Sequence, residues 1–318
     1  MKDKSLGIYI SNYNVIGGVE RFVENFCKRM SKHYNVTLLF DWVEDNDLLF
    51  DISKYICVIK IDKKKVYNFD YFINSTAWGY SPYDNIEASK VVQIVHADYR
   101  HVIATWNFKY NRHNKTTHHV CVGEIVKEAF EEATPYKCDA VIYNLLDNSI
   151  KIPKKNKNKI LHLVTLSRLS GEKGFGRMLD LAKQLDDKKI PYTWNVYGNI
   201  TTNFAQHLVS IFKHNQNVVF RGVTREPFKE INKADYLVQL SDTEGFAYSV
   251  YEAMQVKTPC LITPFASGKE QITHGVNGYI LPFDMKNINF DDILNKIPKV
   301  PDFEELGKEE DWIKLLEQ

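Results

Sequence analysis

The alternation of short apolar runs with amphipathic helical segments leaves this chain few ways to fold. Leu6–Ser11 is the first apolar run, and a turn-rich loop through Gly17 and Gly18 follows it. Val19, Phe22, Val23, Phe26, Cys27 and Met30 then recur at i, i+3, i+4, i+7, i+8 and i+11, the signature of one helix face. Further strand-like runs lie at 36–40, 56–61, 71–74, 91–96, 120–122 and 140–142, with a helix expected over 124–133. Runs too apolar to have a wet face, joined by helices, predict a parallel sheet covered on both sides.

The rhythm pauses once. Residues 151–159 are polar and basic and carry a proline, which suits a linker. It then restarts, with strands at 160–166, 193–197, 218–220, 236–240 and 260–263 and helices over 175–185, 204–212 and up to Met254. In the helix over 175–185, Met178, Leu179, Ala182 and Leu185 are expected on one face. The predicted class is therefore α/β, with two doubly wound Rossmann-like domains, 1–150 and 151–302. A final helix within 303–318 is expected to cross back to the first.

Composition narrows the function. With 318 residues and a formal charge of +1, the chain lacks the strong basic excess of proteins that coat nucleic acid, so no nucleic-acid partner is expected. No apolar run is long enough to span a bilayer, and the N-terminus runs into a strand without a leader-like segment, so a cytoplasmic location is expected. Five scattered cysteines without a C-x-x-C pair read as free thiols.

Ligands of open α/β sheets bind beyond the carboxyl ends of the strands, where loops enter helices. Three such turns carry chemistry. Gly17-Gly18 opens the first helix and lets backbone approach a ligand. Ser167-Arg168 through Lys173-Gly174 sets a guanidinium and an ammonium five residues apart, a pairing able to neutralise a diphosphate. Asp242-Thr243-Glu244-Gly245-Phe246-Ala247 leads into a helix bearing Glu252, and carboxylates there can accept hydrogen bonds from sugar or ribose hydroxyls.

Glu244 to Glu252 resembles the E-x7-E motif of retaining nucleotide-sugar glycosyltransferases of the GT-B fold, family 4 (group 1). The similarity extends through Arg168, Lys173-Gly174 and Ser267 to Gly278, and Gly17-Gly18-Val19-Glu20-Arg21 is similar to that family's glycine loop. The resemblance implies two domains facing a central cleft, the second binding the donor and the first most of the acceptor. Arg168 and Lys173 would hold and stabilise the leaving diphosphate, Glu244 the transferred sugar and Glu252 the ribose. The amides of Phe246 and Ala247, beside Gly245, would reach the phosphates. Gly17 and Gly18 would close over the donor, and His96 would lie beside the sugar.

It implies retention by front-face attack, with no cofactor and no metal. The D-x-D look-alike Asp45-Asn46-Asp47 reads instead as an acidic turn. Expected partners are a nucleotide-sugar donor, a UDP-sugar by prior, and a glycan or lipid-linked acceptor in cell-surface polysaccharide synthesis. Arg100, Trp106, Lys109 and Arg112, in a segment mixing cations and aromatics, are candidates for the acceptor or for peripheral contact with a membrane. The bland alternative for that segment is a helix with one core face and one wet face. Tyr143-Asn144-Leu145-Leu146-Asp147 lacks the glycine of the family's usual crossover, and the chain is shorter than typical members. Two further readings stay open: a non-catalytic sugar-nucleotide-binding partner of an active transferase, and an epimerase of the same fold. A phosphorylase would require a longer chain.

Overall fold

A computed structural model describes residues 3–13, 17–43, 46–76, 82–107, 109–148, 150 and 160–318, with the side chains of 46–48 excepted. The basic stretch 151–159, Asp45 and the middle of the glycine loop lie outside the described residues. So do the side chains of Asn46 and Asp47. The chain divides into two units, Met1–Asn148 with Glu305–Gln318, and Ser149–Glu304.

The first unit contains β1 (Ser5–Asn12), α1 (Gly18–Met30), β2 (Asn35–Trp42), α2 (Asn46–Ser53), β3 (Cys57–Lys60), β4 (Tyr67–Asn74) and β5 (Ile86–Val95). After these come α3 (Tyr99–Trp106), β6 (His118–Cys121), α4 (Glu124–Ala133) and β7 (Ala140–Val141). Its seven strands are parallel, in the order β3-β2-β1-β4-β5-β6-β7. The strands at 67–74 and 86–95 are longer than expected. Their first halves alternate between more and less exposed residues, and only the second halves are buried throughout, Asn74 and Gln93 included. The region of the D-x-D look-alike also differs, because α2 begins at Asn46 where an acidic loop was expected.

The second unit contains β8 (Leu161–Leu166), α5 (Phe175–Asp187), β9 (Tyr192–Tyr197), α6 (Asn203–Ile211), β10 (Val218–Gly222), α7 (Pro227–Lys233) and β11 (Tyr236–Gln239). It continues through α8 (Tyr248–Gln255), β12 (Cys260–Ile262), α9 (Gly268–Gln271), β13 (Gly278–Ile280) and α10 (Phe290–Asn295). Its six strands run β10-β9-β8-β11-β12-β13, again parallel. Leu163, Trp194 and Val238 face one layer, against Met178, Leu181, Ala182 and Leu185 of α5. Val164, Leu237 and Ile262 face the other, against Ile231 of α7 and Val250 and Ala253 of α8. Alternate residues of β8, β11 and β12 thus feed two cores, whereas β9 keeps a half-buried polar phase at Thr193 and Asn195. Leu179 is a correction: it is 37% exposed, and Leu181 takes its place on the buried face of α5. A step of one residue turns a side chain about 100° around a helix, out of the stripe that Met178 and Leu185 define.

Beyond Glu304 the chain belongs to the first unit, where α11 (Glu309–Glu317) packs on α1. Trp312, fully buried, meets Phe26 edge-on at 4.9 Å and Phe22 at 6.2 Å between ring centroids. Arg29 donates to Glu309, to both oxygens of Glu305 at 3.1 Å and to the Leu146 carbonyl at 3.0 Å. Glu305 also accepts the Leu146 amide at 2.8 Å. Burial alone would raise the Glu309 carboxyl, but the Arg29 and His33 hydrogen bonds outweigh it and hold the group below its ordinary range.

Candidate active site

In each sheet the strand order reverses once, between β1 and β4 in the first unit and between β8 and β11 in the second. Such a reversal splays the outgoing loops apart and leaves a crevice at the carboxyl ends of the strands. In the second unit those loops are Ser167–Gly174, after β8, and Leu240–Ala247, after β11.

The two loops are tied together by backbone and by charge. The Asp242 amide donates to the Glu172 carbonyl at 2.8 Å. Gly174 is left-handed, with φ +72°, and a Cβ there would stand 1.8 Å from the Leu240 carbonyl oxygen, so glycine is obligatory for both reasons. Arg177, in the first turn of α5, donates from Nε to the same carbonyl at 2.8 Å and from Nη2 to Asp242 Oδ1 at 2.5 Å.

Lys173 Nζ reaches Glu244 Oε1 at 2.8 Å, with both side chains largely out of water. The same carboxylate oxygen accepts from Gln239 Nε2 at 2.8 Å and from Ser241 Oγ at 2.7 Å. The Ser267 hydroxyl donates to the Glu244 carbonyl at 2.9 Å, and the Thr263 hydroxyl to the Ser241 carbonyl at 2.6 Å. The backbone on both sides of the carboxylate is therefore fixed from β12 and its outgoing loop.

Arg168 stands apart from this pair. Its side chain is 61% exposed and contacts Glu172 Oε1 at 3.3 Å. Burial would raise the Glu172 carboxyl, but the Ser170 hydroxyl and the neighbouring cations bring it below its usual range. Glu252, on α8, is only 4% exposed, which removes the reading of a solvated helix glutamate. Gly245 is half-buried, and Phe246 is buried against Tyr251, 4.9 Å between ring centroids. Ala247 departs from expectation. Its amide donates to Gln271 Oε1 at 3.3 Å, because the buried Gln271 side chain clamps both the N–H and the C=O of Ala247 at the start of α8.

In the first unit His96 follows β5 directly. Its Nε2 lies 2.9 Å from Ser75 Oγ, and its ring packs on Phe22 at 4.9 Å. Burial pushes the imidazole down to about 3, so it is neutral at ordinary pH and offers a hydrogen bond rather than a charge. Gly17 precedes α1 with φ −114°, an extended conformation open to any residue. A Cβ there would stand 2.5 Å from Glu20 Oε2, the movable end of a flexible side chain, so the local fold does not itself demand glycine at this position. Gly18 is the first residue of α1.

The acceptor or membrane candidates are not gathered on one surface helix. The helix expected within 98–119 is confined to α3, capped by the Asp98 side chain and ended by Asn107 in a left-handed conformation. Arg100 is held by Asp98 and Glu132, and Arg112 by the Thr116 and Thr117 carbonyls. Both arginines are exposed while holding these intramolecular partners, and Trp106, 65% exposed, and Lys109 also face solvent. No helix among the described residues is long and apolar enough to cross a membrane. The cysteines among the described residues are free thiols, with Cys57 exposed.

Sequence reasoning did not single out Gln239, Ser241, Thr263 or Arg177. The one available signal was a glutamine closing an otherwise apolar strand, Tyr236-Leu237-Val238-Gln239.

Two doubly wound parallel sheets, the second with a lysine–glutamate pair at its reversal point, are the architecture of the GT-B fold. Residues 147–311 match the model of the family described as Glycosyl transferases group 1, and the chain belongs to that family. It is 24% identical to an uncharacterized glycosyltransferase of Methanocaldococcus jannaschii, over 93% of this chain and 88% of that one. It is 27% identical to an uncharacterized 41.2 kDa protein in the cps region of Klebsiella pneumoniae, over 51% of this chain and 44% of the other. Among solved structures, Anabaena HepE in complex with UDP and glucose superposes with a TM-score of 0.73 at 15% identity, covering 93% of this chain and 92% of that one. That likeness is one of fold.

Proposed function

We propose that this glycosyltransferase moves a hexose from a UDP-sugar to a glycan or lipid-linked glycan, with retention of anomeric configuration. The observation that carries the reading is the Lys173–Glu244 pair at the reversal point of the second sheet, 2.8 Å apart. One member suits a diphosphate and the other a saccharide hydroxyl. The choice of UDP is supported by the HepE complex, and a role in surface polysaccharide by the Klebsiella relative's place in a cps region.

In this reading unit Ser149–Glu304 binds the donor, and the first unit serves the acceptor. The ammonium of Lys173 and the exposed guanidinium of Arg168 take the diphosphate, with the Phe246 amide beside them. Glu244 accepts from hydroxyls of the sugar, and Glu252 from the ribose. As the bond from the anomeric carbon to the diphosphate oxygen lengthens, negative charge grows on that oxygen, and fixed cations lower the barrier. The acceptor hydroxyl attacks the same face and gives its proton to the departing oxygen, so no protein carboxylate serves as base. His96, being neutral, would add a hydrogen bond beside the sugar. Two cations matched to the diphosphate make transfer metal-independent.

The deciding experiment measures nucleoside diphosphate released from UDP-, GDP- and dTDP-sugars, with and without acceptor glycans. Acceptor-dependent release of UDP is expected. Tight binding without turnover would instead make the chain a non-catalytic partner, and an isomerised sugar formed without acceptor would make it an epimerase.

A further inference from the structure

Gln239 ends β11, whose other residues Tyr236, Leu237 and Val238 are all core. It is 3% exposed, and a buried amide costs free energy unless its hydrogen bonds are made. Those bonds all serve one place. Its nitrogen lies 2.6 Å from Ser241 Oγ and 2.8 Å from Glu244 Oε1, and its carbonyl oxygen accepts the Ser249 hydroxyl at 3.3 Å.

Ser241 cannot set this arrangement alone. A hydroxyl has a single proton, which Ser241 gives to Glu244 at 2.7 Å while accepting from Gln239. The amide thus dictates which way the serine proton points. Among the described residues, every hydrogen bond to the Glu244 carboxylate ends on Oε1. Among the described residues, the hydrogen bond of the Lys173 side chain also goes to that atom. Donors converging on one oxygen stop the carboxylate from turning and leave its second oxygen for a ligand.

We propose that Gln239 is a positioning residue. Its amide locks the Glu244 carboxylate in the orientation that receives the donor sugar. The inference rests on the glycosyltransferase reading and deepens it. Gln239 touches neither sugar nor phosphate. A variant lacking its amide therefore loses what depends on Glu244 and keeps what depends on the nucleotide.

Gln239→Met keeps the side-chain length and removes the amide. Calorimetric titration with UDP and with UDP-glucose, together with turnover on the donor found in the panel, reads the effect. UDP affinity should stay within about twofold, UDP-glucose affinity should fall about tenfold, and turnover about 10- to 100-fold, the scale of one lost hydrogen bond to a charged group. In a Glu244→Ala background the same substitution should change turnover by less than about twofold, because residues acting through one another are not additive. Ser241→Ala, which removes a second donor to the same oxygen, should give the same selective loss and covers the case of Gln239→Met failing to fold.

A merely structural glutamine predicts otherwise: UDP binding would fall along with the melting temperature, and the loss would persist without Glu244. That outcome, or wild-type behaviour of the substituted protein, overturns the inference alone. A wild type that binds no nucleotide-sugar of the panel defeats the donor-site reading first, and the inference with it.

Discussion

Lys173 and Glu244 meet at 2.8 Å with little water around either, and the surroundings of the pair decide what its removal does. Breaking a buried ion pair usually strands the remaining charge, at a cost of about 3–5 kcal/mol. Here Gln239 and Ser241 would still donate to Glu244 if the lysine were lost. Lys173→Ala should therefore remain folded, with a melting temperature lowered by only a few degrees. Its turnover at saturating donor should fall about 100-fold or more, as when one charge-stabilising donor is removed. Steady-state kinetics alongside circular dichroism tests this, and unchanged turnover would remove the lysine from the reaction. His96 gives a prediction of another kind. Its imidazole is pushed down to about 3 in the fold, and the fully buried His119 to about 4, chiefly by burial, against about 6.5 in an unfolded chain. The unfolded state then binds protons that the native state refuses. The stability both histidines confer is whole above about pH 6.5 and declines as pH falls toward 3–4. Thermal unfolding between pH 7 and 5 should show that decline, and His96→Asn should flatten it. Equal slopes for the two proteins would mean that His96 titrates normally in the fold.

The loops of the second unit show what the sequence disclosed and what it withheld. The strand-loop-helix rhythm, the cations of 168–173 and the spacing from Glu244 to Glu252 were legible, because each is a local pattern of a few residues. Gln239, Thr263, Ser267 and Arg177 act across distances of 5 to 65 residues, and no local pattern announces which backbone group they will meet. The first halves of β4 and β5 escaped for another reason. They alternate more and less exposed positions, so their apolar signal is diluted until the strands reach the doubly covered interior. Gly174 was visible as a loop glycine, but its necessity comes from the Leu240 carbonyl of another element. Gly174→Ala must relieve a left-handed φ and a steric overlap together. It should destabilise the protein by about 2 kcal/mol or more. Denaturant titration would measure the loss, and donor affinity should fall with it as the two loops separate. An alanine variant as stable as wild type would show that the loops yield freely.

At the scale of the molecule, the first unit is completed by residues that come after the second. Trp312 is wholly buried against Phe22 and Phe26, and Arg29 binds both Glu305 and Glu309. Trp312→Ala should cost about 3–5 kcal/mol, read as a lower melting temperature of the first unit. Nucleotide binding, proposed for the second unit, should persist at temperatures where that unit remains folded. Metal dependence is also a property of the whole reaction. Turnover should be unchanged by excess chelator if, as proposed, Arg168 and Lys173 meet the diphosphate charge, and loss of activity restored by Mg2+ or Mn2+ would refute that.

Because Ser149–Glu304 is inserted between two stretches of the first unit, the order of synthesis is not the order of completion. On the ribosome, all of that insert is synthesised before Glu305–Gln318. The nascent first unit must wait with the Phe22 and Phe26 surface uncapped until the last turns of the chain arrive. A polypeptide that stopped before Glu305 would carry the Ser149–Glu304 unit joined to an unfinished partner. Quality-control proteases would find their first foothold there.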